Sequence, residues 1–216
     1  MCIRDRPNGE AIPHGRINIE VASPDKADFS VSDLRAKAEL IYAENPFNVI
    51  FVDHAGLMAS RYRRSSTTEM TNEVMRDLKK LAMSFNRGQG IAVVALFQIN
   101  RQGFREASKK KEKGLPPLYT TADLAYANEA EKSSDVVTAS FIDDEYKNQS
   151  RMLLHCLKTR DNAPFQPFFT RIEWPCRRIL HCDEIPTFGE QGQERIAQQA
   201  ETLSTQQDLI DKMLDL

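Results

Sequence analysis

The sequence predicts an α/β domain with a mostly parallel sheet flanked by helices. Two unbroken apolar runs, residues 49–52 and residues 91–97, have the composition of strands buried on both faces of a parallel sheet. Amphipathic helical segments alternate with these runs, as they do in βαβ units. The chain of 216 residues, 41% hydrophobic and 28% charged, has the length and composition of one globular domain.

Before the first apolar run, the chain has a predicted strand and a predicted helix. Residues 15–21 alternate between polar and apolar side chains, which indicates a short strand. Residues 29–44 have apolar side chains at helical spacing, and either Ser30 or Ser32 can cap this helix.

The segment between the two apolar runs, residues 67–86, is the clearest predicted helix, and Thr68 can cap it. Its apolar stripe consists of Met70, Val74, Leu78, Leu81 and Phe85. Beyond the second run we expect a polar loop, a helix and three strands, over residues 99–118, 121–134, 135–142, 151–158 and 168–174. Residues 187–216, rich in Gln and Glu, are predicted to be a helical or disordered tail.

Charge and cysteine content restrict the class of protein. The net charge is −2, so any contact with nucleic acid must come from local basic segments. No apolar run approaches the ~20 residues that a membrane span needs. The four cysteines include no C-x-x-C pair, which fits a reducing, cytoplasmic setting. The His-Cys pairs at residues 155–156 and 181–182 match no familiar zinc-ligand spacing.

A polar residue that could carry chemistry follows each apolar run. Asp53 ends the first run, at the position where α/β sheets bind ligands and where nucleotide-hydrolysing motors hold Mg²⁺. Gln98 ends the second run, and an amide there can contact a γ-phosphate or its attacking water. Taken alone, each residue is better explained as a polar strand end.

The order of the motifs is more specific than any one of them. The segments VIFVDHAGLM, RDLKKLA, IAVVALFQINR, EKSSDVV and LKTR follow one another between residues 49 and 160. Over residues 15–174 this series resembles the C-terminal motor domain of DnaB-type replicative DNA helicases, which implies a RecA-like fold. The resemblance further implies an ATP-driven, DNA-unwinding enzyme with ATP and Mg²⁺ as cofactors. Asp53 would be its metal ligand and Gln98 its γ-phosphate sensor.

The resemblance also implies a homo-oligomeric ring, a hexamer, with ATP bound between subunits. In such rings a Lys-x-Arg pair reaches the γ-phosphate of the neighbouring subunit, and Lys158 and Arg160 match that pair. Without the rest of the series, the same two residues would be an ordinary basic strand end. The partners that the resemblance implies are single-stranded DNA, a primase and a helicase loader.

Two segments are candidates for DNA contact. Residues 101–118 contain six bases and two acids, an excess of +4 (6 − 2). The bases assigned to DNA there are Arg101, Arg105, Lys109, Lys110 and Lys111. The same segment is equally well explained as a solvated, mobile loop. In the second segment, residues 119–128, the family's Arg-Glu-Ser-Gly is replaced by Ala-Tyr-Ala-Asn, and Tyr126 either stacks on a base or packs internally.

The sequence departs from the family most clearly at the phosphate-binding loop. None of the nine glycines is followed by lysine, so the chain has no G-x-x-x-x-G-K-[S/T] motif. Residues 1–6, Met-Cys-Ile-Arg-Asp-Arg, match the translation of a transposon end used in sequencing libraries and are expected to be a sequencing remnant. We therefore expect residues 7–186 to be a partial motor domain that lacks its phosphate-loop front and is inactive alone. His54, which replaces a tyrosine of the family, is expected to pack or to form a hydrogen bond.

Two other hypotheses remain open at this point. A different RecA-like ATPase, such as a recombinase or a clock-type ATPase, would have the same sheet. A non-catalytic paralogue that binds DNA or supports assembly would also lack the phosphate loop. The Gln-Ile-Asn-Arg and Lys-Thr-Arg matches favour the helicase over the other ATPases, and the coding sequence upstream of Met1 would separate all three.

Overall fold

The computed structural model describes residues 17–21, 29–60, 66–124, 128–160, 163–184, 186 and 188. The predicted sequencing remnant, residues 1–6, lies outside the described residues, and so does nearly all of the predicted tail. The chain divides into two compact units, Met1–Phe97 and Gln98–Leu216, and each is described by itself.

The first unit is a βαβ unit preceded by a helix. Its elements are α1 (Val31–Glu44), β1 (Val49–Val52), a 3-10 helix (Ala55–Leu57), α2 (Thr67–Gly88) and β2 (Ala92–Ala95). β1 and β2 pair in parallel, with Val49 opposite Ala92 and Val52 opposite Ala95. This pairing confirms the predicted parallel strands, because α2 returns the chain to the starting edge of the sheet.

Helix α1 begins where its capping residue predicts. The Ser30 hydroxyl accepts a hydrogen bond from the Asp33 main-chain N–H, and the Asp33 carboxylate accepts one from the Ser30 N–H at 2.9 Å. These reciprocal bonds satisfy N–H groups that have no partner within the helix. The hydrogen bonds from Ser30 also hold the pKa of Asp33 below its usual value. Of the two predicted caps, Ser30 is therefore confirmed.

Helix α2 buries most of the predicted apolar stripe. The buried members are Val74, Leu78, Leu81 and Phe85. The helix follows Ser66, not Thr68, and the Ser66 side chain forms no capping hydrogen bond. Its regular part ends before Asn86 and Arg87, which lie at positive φ.

The β1–β2 pair buries only one face within the described residues of the first unit. Ile50 and Val52 are buried, whereas Phe51 between them is 72% exposed. α1 packs on α2, and α2 packs on β2, so the described helices form a single layer. The predicted burial of these strands on both faces is therefore wrong for this unit. The predicted strand at residues 15–21 is also wrong where it is described, because residues 17–21 belong to no strand.

The second unit is built on an antiparallel sheet. Its elements are α3 (Arg101–Glu112), a 3-10 helix (Thr121–Asp123), α4 (Asn128–Ser133), β3 (Val136–Phe141), α5 (Asp144–Asn148), β4 (Arg151–Thr159), β5 (Phe168–Glu173) and β6 (Arg178–His181). The strands follow each other in the order β3-β4-β5-β6, and every pairing is antiparallel. Parallel neighbours need a connection of a dozen or more residues, and these connections are shorter. The α/β class and the RecA-like fold are confirmed, with parallel pairing confined to the first unit.

The polar loop predicted at residues 99–118 is wrong, because most of it forms helix α3. The Asn100 side chain caps this helix by accepting a hydrogen bond from the Gly103 N–H at 2.7 Å. Its buried positions are Gly103 and Ala107, four residues apart. Since neither residue is a large hydrophobe, the helical stripe gives no strong signal in a segment otherwise rich in charge.

The core of the second unit is a cluster of aromatic and aliphatic side chains. Its members are Ala107, Tyr119, Ala139, Phe141, Tyr146, Leu153 and Phe169. Phe141 is fully buried, and its ring lies 5.7–5.9 Å from those of Phe104, Tyr119 and Tyr146. Burial raises the pKa of Tyr119 to about 12. Among all described residues, no helix is long and apolar enough to cross a membrane.

Candidate functional site

Asp53 lies exposed directly after β1, at the carboxyl end of the parallel pair. Main-chain hydrogen bonds continue past the strands, from the Leu96 N–H to the Val52 carbonyl (3.0 Å) and from the Ala55 N–H to the Leu96 carbonyl (3.2 Å). These bonds hold the two carboxyl ends in register. Asp53 therefore occupies the edge of the sheet at which α/β proteins bind ligands, as predicted.

His54 packs against the turn that follows Asp53. A Cβ added at Gly56 would lie 3.2 Å from His54 Nδ1, so the imidazole and the Gly56 main chain are in close contact. The histidine is half-buried, and its side chain forms no capping hydrogen bond to the 3-10 helix. These contacts favour the packing role over the hydrogen-bonding one.

Gln98 is exposed and is the first residue of the second unit. The residues after it have structural roles that sequence inspection missed. Ile99 forms a β-bridge with Leu124, and the Asn100 N–H donates to the Asp123 carbonyl at 2.9 Å. The Asn-x-x-Gly spacing that caps α3 was the signal in the sequence that could have revealed this helix. The Gln-Ile-Asn-Arg motif thus carries an exposed amide and the start of α3 together.

Helix α3 approaches the 3-10 helix closely at Gly103. A Cβ added there would lie 2.6 Å from the Asp123 Cβ, closer than side chains tolerate. Asp123 in turn accepts hydrogen bonds from the Thr120 N–H and hydroxyl, at 2.7 and 2.9 Å. Glycine at this position therefore allows α3 to dock beside the segment that leads to α4.

The bases of α3 divide into an exposed set and an inward set. The exposed set recurs every four residues and so follows one side of the helix, at Arg101, Arg105 and Lys109, with Lys113 just beyond the last turn. We call these four residues the α3 stripe. The inward set is Lys110 and Lys111, and Lys110 donates to the Leu118 carbonyl at 3.0 Å.

Lys111 is an internal cation. Its ammonium lies 2.6 Å from Asp143, 2.9 Å from Glu145 and 3.7 Å from the centre of the Tyr146 ring. Burial alone would lower the pKa of Lys111, but the hydrogen bonds with Asp143 and Glu145 outweigh it and raise the pKa above its usual value. The side chain is 16% exposed. Lys111 therefore fastens the end of α3 to α5.

Lys158 and Arg160 lie at the end of β4, and both contact the end of helix α4. The Lys158 ammonium donates to the main-chain carbonyls of Glu131 and Ser134, the latter at 3.1 Å. The Arg160 guanidinium donates to the Lys132 carbonyl at 2.9 Å. The predicted pair is therefore brought together on one end of the strand, where Lys158 is half-buried and Arg160 is exposed.

His155 is a buried polar residue whose role sequence inspection did not predict. Its Nε2 accepts a hydrogen bond from the Tyr119 main-chain N–H at 3.0 Å, so the neutral ring carries its proton on Nδ1. That Nδ1 is buried and has no hydrogen-bond partner in the described part of the chain. Burial lowers the pKa of His155 to about 4. The residue is neutral at physiological pH and lies in the core.

The remaining predicted site features are distributed as follows. Tyr126 lies outside the described residues. The His-Cys pairs do not form a metal site among the residues that the structure describes, where no cluster of three His, Cys, Asp or Glu side chains occurs. Cys156 is buried, and burial raises the pKa of its thiol.

Residues 15–164 match the family model described as the DnaB-like helicase C terminal domain. This match covers more than half of the chain. The chain therefore belongs to the DnaB-like helicase C-terminal domain family. The match also decides between the helicase and the other RecA-like ATPases, in favour of the helicase family.

Curated relatives and solved structures agree with this family. The chain is 28% identical over 141 residues to the replicative DNA helicase DnaB of Leifsonia xyli subsp. xyli (strain CTCB07), covering 65% of the chain and 28% of that protein. It is 25% identical over 134 residues to DnaB of Geobacillus stearothermophilus, covering 62% and 27%. The chain thus spans little more than a quarter of the length of these relatives.

Two solved structures share the fold. One is a DnaB-like replicative helicase that was described together with its interactions with primase, and the other is an ATPase domain solved by itself. Each superposes with a TM-score of 0.59 at 21% identity over 73% of this chain. The chain covers 36% of the first structure and 53% of the second. At this level of identity the similarity establishes the fold.

Proposed function

We propose that this chain is the rear part of the motor of a replicative DNA helicase, driven by ATP hydrolysis between the subunits of a homo-oligomeric ring, a hexamer. The observation that carries the proposal is the exposed Asp53 at the carboxyl end of a parallel strand pair, within a chain that matches the DnaB-like family over residues 15–164. The G-x-x-x-x-G-K-[S/T] loop would come from polypeptide outside these 216 residues.

The donor available at Asp53 fits Mg²⁺ and its nucleotide. Mg²⁺ in nucleotide sites is held by one or two carboxylates while phosphates and waters complete its shell, so one exposed aspartate is sufficient from this side. Bound Mg²⁺-ATP would supply the phosphoryl group whose transfer to water drives the motor. Within this chain, Asp53 would hold the ion, and Gln98 would offer its exposed amide to the γ-phosphate or the attacking water.

Arg160 is the residue that we propose to act on the nucleotide of the neighbouring subunit. Its guanidinium is 44% exposed at the end of β4, so it is available to a neighbour while still held by its own subunit. A cation there would offset the negative charge that develops on the transferring phosphoryl group. Lys158 completes the pair; because two main-chain carbonyls bind its ammonium, we propose that it mainly fixes the strand end.

The α3 stripe is the surface that we propose for single-stranded DNA. Its four exposed cations lie along one side of a helix and can follow a phosphate backbone. Lys110 and Lys111 are left out of this surface because they bind a carbonyl and two carboxylates inside the protein. A primase and a loader remain partners proposed for the whole protein, to which no residue of this chain is assigned.

The test is ATP hydrolysis by the full-length protein in its assembled ring. We expect Arg160→Ala to lower turnover by about 10³-fold or more while folding and nucleotide binding persist. Asp53→Asn should weaken Mg²⁺-dependent turnover. The matched controls are Arg171→Ala, an exposed arginine of β5, and Asp144→Asn, an exposed aspartate of α5.

Two results would count against the proposal. Normal hydrolysis by Arg160→Ala rings would remove the trans-acting role, and unchanged Mg²⁺ dependence of Asp53→Asn would remove the metal assignment. A full-length wild-type protein without ATPase activity would favour the non-catalytic paralogue. Robust turnover by the 216-residue chain alone would show that no additional phosphate loop is needed.

A further inference from the structure

The end of helix α4 is held by the two cations that end β4. Lys158 and Arg160 together bind the main-chain carbonyls of Glu131, Lys132 and Ser134. Carbonyls at the C-terminus of a helix lack partners within the helix and carry the negative end of its dipole. Cations are therefore stabilised there, and the geometry fixes where the side chains of this strand end point.

A carboxylate holds the second arm of the Arg160 guanidinium. The antiparallel register pairs Val136 with Thr159, which makes the next residues along each strand, Asp135 and Arg160, cross-strand neighbours. One guanidinium nitrogen lies 3.4 Å from an Asp135 carboxylate oxygen, and the other nitrogen donates to the Lys132 carbonyl. The arginine is thus held at two points by its own subunit.

We propose that Asp135 is a positioning residue for Arg160, a role that rests on the proposed trans-acting function of that arginine. An arginine that is free to change rotamer must be ordered each time a neighbour's nucleotide reaches it, and this ordering costs conformational entropy. Asp135 orders the guanidinium beforehand, so that it stabilises the transition state without reorganisation. Asp135 acts through Arg160 and has no contact with nucleotide in this role.

The exposure of the pair separates this role from a structural one. The Arg160 and Asp135 side chains are 44% and 55% exposed, and ion pairs this exposed contribute little to stability. Removing the Asp135 carboxylate should therefore change turnover and leave the melting temperature unchanged. A purely structural ion pair would show no effect on either quantity, or a parallel effect on both.

The experiment is a double-mutant cycle in the full-length assembled ring, with Asp144→Asn as the control. We expect Asp135→Asn to lower kcat by about 10- to 100-fold while KM for ATP and the melting temperature stay at their wild-type values. Asp135→Glu should recover most of the lost kcat. In the Arg160→Ala background, Asp135→Asn should cause no further loss of the residual hydrolysis, measured with radiolabelled ATP.

Each outcome distinguishes this proposal from the proposed function. If Arg160→Ala is inactive but Asp135→Asn turns over normally, or if the two losses add, the positioning role is wrong and the trans-acting role stands. If Asp135→Asn lowers the melting temperature together with kcat and Asp135→Glu does not recover it, the residue is structural. If Arg160→Ala hydrolyses ATP normally, the proposed function fails, and this proposal fails with it.

Discussion

The two units of the chain differ in how they support their exposed polar groups. In the first unit, Asp53 follows a two-stranded parallel pair that leaves Phe51 72% exposed on its second face. In the second unit, a four-stranded antiparallel sheet encloses Phe141, and internal hydrogen bonds hold Lys158 and Arg160. Parallel sheets are normally covered on both faces, whereas an antiparallel sheet needs only one. The second unit is therefore the more self-sufficient of the two.

This difference has a consequence for the site. The residues proposed to act on a neighbour, and those proposed to bind DNA, belong to the unit whose core is closed. The proposed metal ligand belongs to the unit with an uncovered apolar face. Substitutions that compare matched residues of the two units, and matched residues within the second unit, test this contrast directly.

The largest effect is expected in the core of the second unit. Phe141→Ala should lower the free energy of unfolding of this chain by about 3–5 kcal/mol, because it leaves a cavity among the surrounding rings. Phe51→Ala, on the exposed face of the first unit, should change it by no more than about 0.5 kcal/mol. Urea unfolding followed by circular dichroism measures both. Equal losses from the two substitutions would show that the Phe51 face is buried in solution.

The next effect is the pH dependence of stability that His155 causes. Its pKa of about 4 in the folded protein lies below the ordinary 6.5, so the unfolded state binds more protons between these values. The stabilisation is complete above pH 6.5 and is lost progressively as the pH falls towards 4. The loss amounts to about 3 kcal/mol at 1.36 kcal/mol per pKa unit.

His155→Gln tests this pH dependence, because glutamine keeps an acceptor for the Tyr119 N–H but does not titrate. The variant should unfold with a nearly flat pH dependence between pH 6.5 and 4 relative to wild type. The control is His181→Gln, an exposed histidine of β6, which should leave the wild-type slope intact. An unchanged slope in His155→Gln would mean that the buried ring is protonated in the folded state.

The smallest stability effect contrasts two lysines of α3. Lys111→Met should destabilise the chain by about 2 kcal/mol, because Asp143 and Glu145 lose a shared, partly buried partner. Lys109→Met, in the exposed α3 stripe, should be neutral for stability. For binding to an oligo-dT strand the order should reverse: Lys109→Met lowers the affinity and reduces the salt slope by about 0.7, the value for one phosphate contact with a single strand.

Fluorescence anisotropy at several salt concentrations, together with urea unfolding, measures both lysines in the same chain. Equal loss of DNA affinity in the two variants, at conditions where both are folded, would contradict the division between the α3 stripe and the inward lysines. Retained affinity in Lys109→Met, with an unchanged salt slope, would remove the stripe from the proposed DNA surface.

Much of the fold follows from local patterns. The buried stripe of α2, the cap of α1 and the position of Asp53 after β1 are predicted because each depends on residues close in sequence. Helix α3 was missed because its buried positions are Gly103 and Ala107. Helix α5, only five residues long, was missed as well, although the Asp143 carboxylate caps it through the Tyr146 N–H.

The site could be predicted in position but not in its contacts. Lys111 finds Asp143 at a separation of 32 residues, and Lys158 finds the Glu131 carbonyl at a separation of 27. A local charge count treats Lys111 and Lys109 alike, since both are lysines in one basic run. Only the packing of α3 against the sheet decides which of them points inward.

The most direct measurement of the central claim is complementation between two inactive variants in one ring. In an Asp53→Asn ring no site has its metal ligand, and in an Arg160→Ala ring no site has its arginine. If Arg160 acts on the neighbour's nucleotide, mixed rings contain interfaces with an intact Asp53 from one subunit and an intact Arg160 from the other. We predict that ATP hydrolysis reappears when the two full-length variants are mixed and reassembled. Mixed rings as inactive as both parents would contradict a site shared between subunits.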